Sequence, residues 1–395
     1  MQLVFSDENL PSSSKKSIFL EGPSPRSGDV ADWRPDALRI LGDLQYDGIV
    51  YIPIPRGIFF GTDAVDIEYD TQIPFEKSAR KRSDVIVCWL ARVIDRTRED
   101  LGMPGFTTNF ECAEDLATRK LLFGRPNSAE KCRYIDKCAS EKGLTIYTTL
   151  REILAEALII IGDGAQRNDG EVNVPLLIWR TKQFQSWYGT LRSIGNKLLD
   201  ADVENVMLTP AGVFSYILAV KIWIAKEDRV KSNEFVFARP DVSVVAAYHT
   251  NKQTGTRKIA LVKEFRSTVR NHHGYVTELP SGSSATLGES PETTALHELE
   301  EELGLHDVDS SRLQFIGMRQ LVATVSSHCA YLFELELTDD ELRQLEAYED
   351  DKKQFGVTED SERTFVVVAN MQDIFNMGID FSMLGMIAEA TADHN

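Results

Sequence analysis

Leu279–Leu305, LPSGSSATLGESPETTALHELEEELGL, decides how the C-terminal half of this chain folds and much of what it does. On a helix spanning Pro291 to Leu303, Glu298 and Glu302 stand at i, i+4, and Glu301 at i+3 from Glu298. Three carboxylates therefore share one face. Like charges at these spacings destabilise an isolated helix by roughly a few tenths of a kcal/mol each. A solvated charge run is the ordinary explanation of an acidic helix. A cation held between the carboxylates is the other, and oxygen-only ligation suits Mg²⁺ or Mn²⁺. The boundaries define a short helix, with Ser290 as N-cap, Pro291 at the first helical position and Gly304 as the stop. Glu300 points off the shared face and reads as a plain surface charge.

The whole chain has 395 residues, 43% hydrophobic and 26% charged, which suits a soluble protein of two domains. A net charge of −18 argues against a nucleic-acid polymer as partner, because such binding neutralises phosphates with Lys and Arg. Small nucleotides remain open, since a bound divalent ion offsets their charge. The N-terminus lacks the pattern of a signal peptide, and the longest apolar run, Val213 to Ala225, contains Lys221 and is too short to span a bilayer. No membrane association and a cytoplasmic location are expected. Five cysteines (Cys88, Cys112, Cys132, Cys138, Cys329) form no CxxC pair, so neither a disulfide framework nor a structural zinc site is expected.

Residues 1–16 are polar and Ser-rich and read as a flexible tail. From 17 to 162, short apolar runs (SIFLEG, GIVYIPIP, DVIVCWLA) alternate with helical patterns (WRPDALRILGDL, FEKSARKRS), EDLATRKLLFG continues the pattern, and LTIYTTLREILAEAL reads as a strand leading into a helix. This alternation predicts an α/β domain with an open parallel sheet. Residues 163–234 read as a Gly- and Asn-rich linker followed by a helical connector, with helices near 175–196 and 211–225. Trp179, Phe184, Trp187 and Tyr188 form an aromatic stripe suited to an interdomain or homodimer contact. Residues 235–395 are strand-rich, interrupted by the acidic helix and closed by a helix near 380–392, which predicts an α+β domain.

The acidic segment resembles the Nudix hydrolase signature: Gly, five residues, Glu, seven residues, then Arg-Glu-apolar-x-Glu-Glu-x-Gly-apolar. Here Glu289 is followed, seven residues on, by His297-Glu298-Leu299-Glu300-Glu301-Glu302-Leu303-Gly304-Leu305. Gly282 precedes Glu289 by six residues rather than five, and His297 replaces the Arg that braces the acidic cluster. The resemblance implies an α/β/α sandwich with a mixed sheet, and a metal site built from Glu289, Glu298, Glu301 and Glu302. LVKEFR followed by ELPSG looks like the ADP-ribose pyrophosphatase branch, which implies nucleotide binding by Arg266, Glu278 and Gly282. GVTEDSERTFVVV resembles that branch's catalytic loop and implies Glu362, or else Glu359, as the group that takes the proton of the attacking water. A solvated acidic loop is the competing explanation. The Pro that follows the box in many ADP-ribose hydrolases is absent, for MRQLVAT stands there.

Residues 17–160 are similar to nucleoside 2-deoxyribosyltransferases in the ordered motifs IFLEGPSPR, DWRPDAL, YDTQIPFEKSARKRSDVIVCWLAR and PGFTTNFECAEDLA. That similarity implies a flavodoxin- or Rossmann-like fold, Glu111 as nucleophile at the anomeric carbon and Asp84 as the acid that handles the base. Gly22, Gln72, Glu76 and Asn109 would line the pocket. A carboxylate suits the oxocarbenium character of a breaking N-glycosidic bond. Glu111 could instead cap or salt-bridge the following helix, and Asp84 could be a satisfied structural acid. Together the two resemblances imply a bifunctional enzyme acting on nucleotides. Two alternatives stand beside it: an N-terminal domain that only binds or senses nucleotide, and a degenerate Nudix scaffold joined to an active glycosidic domain.

Overall fold

The computed structural model describes residues 1–25, 30–61, 69–94, 102–283, 288–356 and 362–392. The chain folds as two compact units, Met1–Leu208 with Ser215–Val236, and Thr209–Phe214 with Phe237–Asn395. The expected connector, residues 163–234, is not a separate body and belongs mainly to the first unit.

The first unit is built on a parallel sheet of β1 (Gln2–Phe5), β2 (Ser17–Glu21), β3 (Ile49–Ile52), β4 (Val85–Trp89), β5 (Leu121–Gly124) and β6 (Ile146–Tyr147), in the order β1-β3-β2-β4-β5-β6. Helices α1 (Arg34–Asp43), α2 (Tyr69–Arg82), α3 (Phe106–Asp115), α4 (Arg133–Glu141) and α5 (Leu150–Ile161) flank it. Strand residues alternate between faces: Ile18, Leu20, Val85 and Val87 pack with α1 and α5, while Phe19, Ile86 and Cys88 pack with α2, α3 and α4. The strand order reverses between β2 and β4, so the carboxyl ends of these strands form the crevice where open α/β sheets bind ligands.

Three expectations for this unit are corrected. Residues 1–16 are not a tail, because Gln2–Phe5 pairs along β3 and buries Val4 and Phe5. The region near 211–225 is not helical. It forms the middle strand of a three-stranded sheet, α6 (Lys182–Ser193) being followed by β7 (Lys197–Thr209), β8 (Gly212–Ile224) and β9 (Arg229–Ala238). The β-branched and aromatic content of VFSYILAVKIWI, with a two-residue turn ahead of it, outweighs its continuous hydrophobicity. Cys88 and Cys112 are joined by a disulfide, because β4 and α3 bring together residues that the sequence keeps far apart. The aromatic stripe packs within this unit, Phe184 lying 5.2 Å from Trp179 and 5.4 Å from Tyr188.

The second unit centres on a mixed sheet. Its strands are β10 (Val242–Thr250), β11 (Arg257–Phe265), β12 (Tyr275–Glu278), β13 (Ser281–Gly282), β14 (Gln314–Gln320), β15 (Cys329–Glu336), β16 (Gln354–Phe355) and β17 (Thr364–Asn370), the main path running β14-β15-β10-β11-β17-β16. β10 and β15 are parallel, and the other pairs are antiparallel. One face is covered by α7 (Pro291–Leu303), through Ala295, Leu299 and Leu303. The acidic stretch Asp339–Asp350 forms α8, which the sequence reading missed although Thr338 and Glu341 make a capping box at its start. Leu345 of α8 joins the same core. The closing helix α9 (Phe381–Ala390) covers the opposite face with Met383, Met386 and Ile387. Among the described residues no helix is long and apolar enough to cross a membrane.

A buried ion pair anchors the first unit. Arg167 Nη2 lies 2.5 Å from Asp84 Oδ1, both side chains fully buried, while the Ser17 N–H and hydroxyl donate to Asp84 Oδ2 at 2.8 and 3.0 Å. Arg167→Met leaves that carboxylate without its cation and is expected to cost about 3–5 kcal/mol in urea unfolding. Adding Asp84→Asn should recover much of the loss. A cost below about 1 kcal/mol for the single variant would show that the pair does not anchor the unit.

Candidate functional site

In the second unit a carboxylate centre forms where α7, β11 and the start of β17 converge. α7 begins and ends as its sequence dictates: the Ser290 hydroxyl accepts from the Thr293 N–H, and Gly304 takes the left-handed conformation with φ 64°. Leu299 and Leu303 drive one side of the helix into the core, which carries Glu302 inward with them. Glu302 is only 3% exposed, and its Oε2 accepts from the Ser281 N–H at 2.8 Å. Carboxylate oxygens of Glu264, Glu302 and Glu362 all lie within 4.8 Å of one another.

Glu264 was not found from the sequence. It lies on β11 on the same face as Ala260 and Val262, which pack against α7. Strand alternation therefore carried a usable signal: a Glu in register with buried apolar residues. Its Oε2 lies 2.7 Å from Arg266 Nη2 as an ion pair. Neither that oxygen nor the opposed Thr364 hydroxyl makes a hydrogen bond among the described residues, and both are buried.

The remaining acids surround this triad. Burial, with the charges of Glu301, Glu362 and Glu289, pushes Glu298 up to about 7. Burial and Glu298 hold Glu302 well above the usual carboxylate range. Glu264 is raised by burial against the opposing charge of Arg266. Gly282 closes the centre from β13: a Cβ there would lie 2.1 Å from Glu298 Oε1. Glu289 is held by His297 Nδ1 at 3.2 Å and the Thr294 hydroxyl at 3.3 Å. Glu301 is exposed, and its backbone carbonyl accepts from the Gly356 N–H. Arg266 also reaches Glu278 at 3.0 Å, so this arginine braces two acids at once. Glu359 lies outside the described residues. Glu300 pairs with His306 at the surface.

Three or more desolvated carboxylates that repel one another are costly unless protonated or paired with a cation. Their donor set is all oxygen. These features fit a hard divalent ion such as Mg²⁺ or Mn²⁺.

The first unit holds a second acidic group at the carboxyl end of β2. Glu21, also missed from the sequence, is 1% exposed, with Cys112 Sγ 3.0 Å from its Oε1 and its Oε2 buried without a hydrogen bond among the described residues. Burial, then Asp115 and Glu111, raise it well above the ordinary range. Glu111 on α3 is raised by burial. Glu76 on α2 is pushed up to about 7 by burial and by Glu111, and Gln72 donates to it at 2.7 Å. Arg34 and Arg80 supply the opposing charge, Arg34 Nη2 also donating to the Gly22 carbonyl at 2.6 Å. Gly22 is needed for close approach, since a Cβ there would meet the Trp89 carbonyl at 2.5 Å. Asn109 accepts from Arg92.

Asp84 belongs to a different network. Both of its oxygens are taken by Arg167 and Ser17, so the structure makes it a satisfied structural acid and not a group offered to a base.

No family model matches this sequence, and no curated protein matches it. Among solved structures, the chain is similar to a mutT/nudix family protein from Listeria innocua, with 21% identity over 38% of this chain and 92% of that one, at a TM-score of 0.29. A score of that size fixes neither fold nor function, so the carboxylate geometry stands by itself.

Glu76 supplies a pH test. Its folded-state pKa is raised, so the folded chain holds a proton that the unfolded chain has lost, and stability falls as pH rises towards and through about 7. Glu76→Gln should match the parent protein in urea near pH 4, become progressively more stable than it between about pH 4.5 and about pH 7, and keep a constant advantage above that. A difference independent of pH would contradict the burial of this carboxyl.

Proposed function

We propose that the second unit is a metal-dependent hydrolase of the Nudix kind that cleaves the diphosphate of a nucleoside-diphosphate-linked substrate resembling ADP-ribose. The observation that carries this is the convergence of Glu264, Glu302 and Glu362 within 4.8 Å, beside a Glu298 whose proton is held to about 7. Glu298, Glu301 and Glu302 would hold the ion, with Glu264 and Glu289 adding oxygens at its margin. When bound, the divalent ion supplies charge stabilisation to the phosphoanhydride oxygens and acidifies an attacking water.

The chain's own residues do the rest. Glu362 takes a proton from the attacking water, a role for which Glu359 is the alternative. Arg266 keeps Glu264 and Glu278 oriented, and its charge offsets theirs. His297 holds Glu289, the place that the family signature gives to an arginine. The departures at His297 and in the lengthened loop after Gly282 bear on substrate choice more than on reaction type.

A second reading concerns the first unit. Glu111 raises both Glu76 and Glu21, the latter at the carboxyl end of β2 beside the switch point of a parallel sheet, and Arg34 and Arg80 oppose the charges of Glu76 and Glu111. This supports an N-glycosidic bond-cleaving or transferring activity with Glu111 as nucleophile, on a nucleoside or nucleotide.

One preparation tests both. With Mg²⁺, the full chain should release AMP from ADP-ribose, and Glu302→Gln should lower kcat/KM by at least about 10–100-fold. Equal rates would sink the metal-site reading. The same protein incubated with nucleosides should release free base in a reaction that Glu111→Ala abolishes. Without base release by the parent protein, the glycosidic reading fails.

A further inference from the structure

Beside the carboxylate centre stands an arginine that the fold does not neutralise. Arg239 follows the end of β9. Its Nη2 donates to the Ser283 hydroxyl at 2.9 Å, and its guanidinium lies 5.5 Å from the Phe214 ring centroid. Its Nε is buried and makes no hydrogen bond among the described residues. Acids outnumber Lys and Arg by 61 to 43 in this chain, yet among the described residues no carboxylate forms an ion pair with Arg239. Arg266 differs, being engaged by Glu264 and Glu278. A partly buried guanidinium whose partners are a neutral hydroxyl and an aromatic face keeps most of its donor capacity.

The surroundings sharpen this. Burial, and then the charge of Arg266, disfavour the charged form of Arg239, so a second cation lies near it. His328, which pairs with the Ser326 hydroxyl, is disfavoured as a cation by burial and by Arg239. Ser283 directly follows Gly282, whose backbone abuts Glu298. The hydroxyl held by Arg239 is therefore one residue from the carboxylate centre.

We propose that Arg239 and the Ser283 hydroxyl form an anion subsite beside that centre, which takes the phosphoryl group of a diphosphate substrate that the metal does not hold. The inference rests on the diphosphate-hydrolase reading and adds a residue to it. A guanidinium presents a planar fork of N–H donors that matches two phosphate oxygens. Arg239 is here a binding and positioning residue: its loss should raise KM more than it lowers kcat.

Binding of inorganic phosphate to the full chain in EDTA, at low ionic strength, separates the subsite from the metal site. Parent protein should bind phosphate, Arg239→Gln should bind it roughly ten- to a hundredfold more weakly, and Arg239→Lys should fall between them. If the Gln variant does not fold, the Lys variant carries the test, because it too must bind phosphate more weakly. In parallel, Mn²⁺ affinity should be unchanged in the Arg239 variants and lost in Glu302→Gln, which keeps its phosphate affinity. Phosphate affinity independent of Arg239, or no phosphate binding by the parent protein, overturns the proposal. Phosphate binding that depends on Arg239 in a protein that takes up no Mn²⁺ leaves the subsite standing and removes the metal reading.

Discussion

The second unit depends on the burial of Glu302. Its carboxylate sits almost without solvent between the hydrophobic side of α7 and the short strand at Ser281, and Glu264 and Glu362 approach it in the same space. In water such groups would ionise independently. Out of water their mutual repulsion holds protons on Glu298 and Glu302 or calls for a cation between them. The fold does not relax this conflict. The caps of α7, the glycine at 282 and the arginine at 266 maintain it, an arrangement typical of functional sites and a burden elsewhere.

The first unit shows the same division between structure and chemistry. Arg167 fully engages Asp84, which serves the sheet. Glu21, Glu76 and Glu111 instead gather at the sheet's switch point with cations close by, and Glu21 retains a buried oxygen without a hydrogen bond among the described residues. Two acids at the ends of neighbouring strands thus meet opposite fates, decided by what the next element brings. Asp84 meets an arginine from a later two-residue strand, Arg167–Asn168, whereas Glu21 meets other acids.

Much of this was legible in the sequence because it is local. The extent of α7 followed from Ser290, Pro291 and Gly304, and the central strands β2, β3 and β4 of the first sheet from their apolar runs. What escaped was set by distant contacts. Glu264 and Glu21 look like ordinary strand glutamates until sheet and helix are assembled around them. Val213–Ala225 reads as helix by hydrophobicity, yet its neighbours on both sides pair with it as strands. Cys88 and Cys112 are far apart in sequence and adjacent only in space. Asp84 was placed correctly at the head of a buried strand, but its partner Arg167 lies well beyond the segment that suggested its role.

The most direct measurement is an anomalous difference map from crystals of the full chain grown with Mn²⁺. The account predicts a peak held by the carboxylates of Glu298, Glu301 and Glu302, with Glu264 and Glu289 at its margin. Mn²⁺ bound only elsewhere, or those carboxylates remaining protonated around no peak at saturating metal, would contradict it.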